Sequence, residues 1–61
     1  MKNATVLARA ALRLYKSEGG TIFEIDEALD FMEEEIEACE DEDVSDEDLI
    51  RSVASYMLEM E

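Results

Sequence analysis

Sixty-one residues with 18 acids, five bases and no histidine give one small domain of net charge −13, which repels nucleic acid and anionic lipid and attracts basic proteins. The lone cysteine, Cys39, excludes an internal disulfide. Without histidine it cannot complete a zinc site either, so neither metal nor cofactor is expected.

The first helix is expected over residues 4–17, with Asn3 or Thr5 as N-cap and Gly19 as a left-handed terminator. Leu7, Ala10, Ala11 and Leu14 follow helical spacing. Lys2, Arg9, Arg13 and Lys16 fall on one stripe on the opposite side. Arg9 and Arg13 interrupt the apolar run that a signal peptide would need, and no stretch of about 18 apolar residues exists to span a membrane. A cytoplasmic protein with no membrane partner is expected. Two readings fit the basic stripe, a grip on an acidic partner or pairing with carboxylates of the second helix. The second is preferred.

The second helix is expected over residues 22–39. Thr21 and Glu24 have the spacing of a capping box, and Ile22, Ile25, Leu29, Met32, Ile36 and Cys39 form a heptad seam. Phe31 and Ala38 widen the apolar arc, so this helix should contact both neighbours and sit centrally. Cys39 reads as a small apolar seam residue, and the acids around it, Glu37, Glu40 and Glu42, oppose its ionisation. Asp26, Glu27, Asp30, Glu33, Glu34 and Glu37 project from the arc opposite the seam. Their eleven residue steps cover about 16 Å, or roughly one charge per 3 Å. The spacing is close to the roughly 3.4 Å between charges along one DNA strand.

The run Glu40-Asp41-Glu42-Asp43 reads as a solvated break, after which Ser45 and Asp48 open a third helix over residues 46–60. Its apolar side is Leu49, Ile50, Val53, Ala54, Tyr56, Met57 and Met60; its polar side is Asp48, Arg51, Ser52, Ser55 and Glu59. One continuous helix is the alternative, since Ile50, Val53, Met57 and Met60 keep heptad phase with Ile22. It would bury Asp43 and Asp46 in the seam at high cost. A calcium loop starting at Asp41 fails because its sixth and twelfth positions hold Asp46 and Ser52 instead of glycine and glutamate.

The expected fold is therefore all-α: a small three-helix bundle, an αα-hairpin plus a third amphipathic helix, completed by dimerisation because a chain this short builds only a small core. No nucleophile–base pair and no enclosed cleft are legible, so a non-enzyme is expected. The functional expectation is an inhibitor or regulator that presents Asp26, Glu27, Asp30, Glu33, Glu34 and Glu37 to a basic, nucleic-acid-binding site of a partner protein, without binding nucleic acid itself. Small acidic proteins of phages and mobile elements, anti-CRISPR proteins among them, act in this way; the likeness is one of charge and size. The competing reading is an adaptor that binds through an apolar face around Phe23, Phe31, Tyr56 and the Met57–Met60 end. Its acids would then serve only solubility or a halophilic setting.

Overall fold

The computed structural model describes residues 3–61 and contains three helices, α1 (Ala4–Ser17), α2 (Ile25–Ala38) and α3 (Asp46–Met60). Each begins at a recognisable chemical signal. Asn3 Oδ1 accepts from the Val6 N–H at 3.2 Å, and Ser45 Oγ accepts from the Asp48 N–H at 3.2 Å, so both caps satisfy a backbone donor that helix geometry leaves open. α1 ends as a Schellman turn. The Gly20 N–H reaches Tyr15 O at 2.9 Å, the Gly19 N–H reaches Lys16 O at 3.1 Å, and Gly19 takes φ +101°.

The start of α2 differs from the expected position. The capping box is formed by Glu24 and Glu27, with Glu27 Oε1 accepting from the Glu24 N–H at 2.9 Å. Thr21, three residues earlier, is engaged elsewhere. Its N–H and Oγ1 both donate to Glu61 Oε1, at 2.8 and 3.2 Å. A long-range carboxylate has taken the Thr21 N–H that the local box would have used and turned the Thr21 hydroxyl from acceptor to donor, so residues 21–24 stay extended or bent. Ile22 consequently leaves the seam and is 57% exposed. At the other end Cys39 is the C-cap of α2 rather than a residue of its last turn. The chain turns there, with the Glu42 N–H on Cys39 O at 3.0 Å, and the continuous-helix alternative does not occur.

The core consists of Leu7, Ala8, Ala11 and Tyr15 from α1, Ala28 and Met32 from α2, and Leu49, Val53, Ala54 and Met57 from α3. Fully burying a side chain the size of leucine or methionine contributes about 1.5–3 kcal/mol. α1 is rotated relative to the expected face: Ala8 and Tyr15 are buried, whereas Ala10 and Leu14 are only half-buried. It is also α1, not α2, that lies centrally, packing more extensively on α2 and α3 than those two pack on each other. The cause is size. Ala8 and Ala11 let two helix axes approach α1 closely, while Phe31 on α2 and Tyr56 on α3 hold their own helices apart. Of the expected α2 seam only Met32 is fully buried; Ile25, Leu29, Ile36 and Cys39 are half-buried, and Ala28, from outside the seam, joins Met32 in the core. The radius of gyration is 10.5 Å, the value of about 10.5 Å that a compact chain of this length should have.

Candidate functional site

With about 3.6 residues per turn, the six carboxylates of α2 fall within an arc of about 120° centred opposite Ala28 and Met32. Asp26, Asp30, Glu33, Glu34 and Glu37 are exposed; Glu27 is half-buried. Burial of Ala28 and Met32 fixes the rotation of the helix, and that rotation points the arc outward. None of the five exposed carboxylates has an ion pair or side-chain hydrogen bond among the described residues. Glu27 is different: its Oε1 is committed to the capping box, which makes it a structural residue at the end of the arc.

The expected pairing between the basic stripe and these carboxylates is largely missing. Lys16 Nζ lies 3.6 Å from Glu24 Oε2, at the N-cap rather than on the arc, with both side chains well exposed. Arg9 and Arg13 have no ion-pair partner among the described residues, and Lys2 lies outside them. Exposed pairs are worth under about 1 kcal/mol, so little is gained by ordering these long side chains into further pairs. The arc therefore keeps its charge.

A second feature, which sequence reasoning missed, adjoins the arc. An open groove of about 690 Å³ runs between α2 and α3, with Phe31 and Tyr56 among its lining residues. Glu34 and Glu35 line it from α2, Asp48 and Glu59 from α3. Only Glu34 belongs to the six-residue set. The spacing of Asp48, Ser52, Ser55 and Glu59 put these side chains on one polar face of α3, but nothing in the sequence placed that face beside Phe31. The groove is the outer end of an aromatic run. Tyr15 and Phe23 have ring centroids 5.8 Å apart, Phe23 and Phe31 5.4 Å, and Phe31 and Tyr56 5.2 Å, the last two pairs edge to face.

At the end of α2, burial raises the pKa of the Cys39 thiol above its ordinary value, and Glu35 and Glu42 raise it further. The Cys39 Sγ lies 3.9 Å from Glu35 Oε1. A thiol surrounded by carboxylates stays protonated and is a poor nucleophile. Among the described residues no three acidic or thiol side chains converge to hold a metal ion; the arc is a line of charge rather than a focus of it. Among them, too, no helix is long and apolar enough to cross a membrane. Comparison with protein families, with curated proteins and with solved structures finds no match to this chain.

Proposed function

We propose that this chain acts by contact: it is a small acidic binding module whose α2 arc docks on a basic, nucleic-acid-binding surface of a partner protein and blocks or regulates it. The observation that supports this most directly is the arc itself. Five carboxylates, Asp26, Asp30, Glu33, Glu34 and Glu37, are exposed on one side of an ordered helix and have no ion pair or side-chain hydrogen bond among the described residues. A rigid row of unpaired charge imposes a shape as well as a sign, so a surface adapted to a phosphate backbone meets complementary potential at a matching spacing. The apolar adaptor reading has less to support it. Phe23 and Phe31 are half-buried within the aromatic run and Met57 is buried, leaving Ile22, Tyr56 and Met60, 57%, 49% and 50% exposed, as the large apolar side chains on offer near that end.

The test uses the immobilised chain to recover partners from a cell extract, beside the variant Glu33→Lys/Glu34→Lys/Glu37→Lys. A basic protein should be retained by the wild type at about 50 mM salt and released at about 500 mM, where the Debye length has shrunk to a few ångströms. The variant should retain little at either. Retention indifferent to salt and to charge reversal would overturn the proposal.

A further inference from the structure

The groove between α2 and α3 combines two features that each attract the same chemical group. Its lining includes an aromatic pair, Phe31 and the 49%-exposed Tyr56. Its walls carry Glu34 and Glu35 on one side, Asp48 and Glu59 on the other. Arg51, also on the rim, does not neutralise them, because its Nη2 is already 2.7 Å from Glu47 Oε1. We propose that this groove receives an arginine side chain from the basic partner; this rests on the contact reading above and adds the chemical group that the partner inserts.

A guanidinium is planar, weakly hydrated and carries five N–H donors along its edge. It stacks on an aromatic ring by one face and forms charge-assisted bonds to carboxylates by its edge. The groove offers a ring and carboxylates on both flanking helices, so one guanidinium meets both kinds of partner at once. A lysine ammonium, compact and strongly hydrated, gains less from the ring. Glu34 belongs to both features, which makes the groove continuous with the α2 arc: the arc supplies the extended field and the groove one selective contact.

Fluorescence anisotropy with labelled oligoarginine and oligolysine of equal length tests this at fixed, near-physiological salt. Wild type should bind oligoarginine about two- to fivefold more tightly, the range an exposed cation–π contact supplies. Tyr56→Phe keeps the ring and should keep that ratio. Tyr56→Leu should still bind both peptides but bring the ratio to about one. Glu33→Gln/Glu37→Gln, outside the groove, should weaken both peptides together and leave the ratio intact.

Absence of any arginine preference in wild type, or its persistence in Tyr56→Leu, overturns the inference. If the arc variant loses no affinity while Tyr56→Leu loses the ratio, the groove stands and the arc reading fails. Should Tyr56→Leu lose its helical circular dichroism, Glu35→Gln/Glu59→Gln replaces it: loss of the ratio supports the inference and retention overturns it.

Discussion

Tyr15 is buried with its ring directly beneath Gly20, and its hydroxyl joins three parts of the chain. It donates to Glu61 Oε1 at 2.9 Å and accepts from the Ile22 and Phe23 N–H groups at 2.9 and 3.2 Å. Glu61 Oε1 also accepts from the Thr21 N–H, the Thr21 hydroxyl and the Ile22 N–H. The 21–23 backbone, which belongs to no helix, thus has its donors satisfied by two side chains. Gly20 is required here by space rather than by conformation. A Cβ at this position would lie 2.2 Å from the Tyr15 ring, and the ring cannot retreat through a packed core. Gly20→Ala should therefore destabilise the fold by about 1–3 kcal/mol or more, read as a lowered midpoint in urea. An unchanged midpoint would mean that the ring is not packed there.

The Glu61 carboxyl is held below its ordinary pKa, first by the Thr21 N–H and then by the Tyr15 hydroxyl. A group whose pKa is depressed by folding adds stability above its unfolded value and loses that contribution as pH falls through the folded value. Glu61→Ala should lower the melting temperature at neutral pH, and the gap from wild type should narrow on acidification through the carboxylate range. Relief of repulsion among the other acids shifts both proteins alike and leaves the gap as the readout. A gap that widens in acid contradicts the assignment.

At the scale of the element, α2 shows what local sequence determines and what it does not. The arc was legible because its period is helical and its charges are uninterrupted; the Gly19 terminator and the Ser45 cap were legible from local chemistry, and so was the apolar side of α3 except for Tyr56 and Met60, which are exposed. The beginning of α2 was not legible. Thr21 and Glu24 have the right spacing, but the competing acceptor, Glu61, is forty positions away in the chain. The face of α1 was misjudged for a related reason: Tyr15, Ala8 and the pair Leu14 and Ala10 suit the apolar pattern comparably, and only packing beneath Gly20 selects Tyr15. The groove was invisible because it joins the polar side of α3 to the flank of α2, a juxtaposition that only the order of packing creates. Met32 is the residue that fixes the rotation of α2, being fully buried and directly behind the arc. Met32→Ala should cost about 2–5 kcal/mol, a large fraction of the stability of so small a domain. The expected outcome in thermal circular dichroism is a strongly lowered or absent transition; a change of only a degree or two would show that α2 is anchored elsewhere.

For the whole molecule, the segregation of charge is the dominant fact. Residues 1–17 contain no acid, and all 18 acids lie beyond them with Arg51 as the one base. In the folded chain the arc of α2 and the rim of the groove carry the negative charge, while Arg9 and Arg13 are exposed on α1 and line a shallow depression with Ile25 of α2. Concentrated like charge destabilises a compact chain, and an acidic surface that served no contact could be spread more evenly at lower cost. Such concentration favours a functional surface, and competition with nucleic acid tests this most directly. With the partner recovered on the wild-type chain at low salt, duplex DNA is added in increasing amounts. The account predicts that DNA displaces the chain from its partner, because both occupy the same basic site, and that chain in excess displaces DNA in return. A ternary complex in which partner, DNA and chain remain bound together would contradict it.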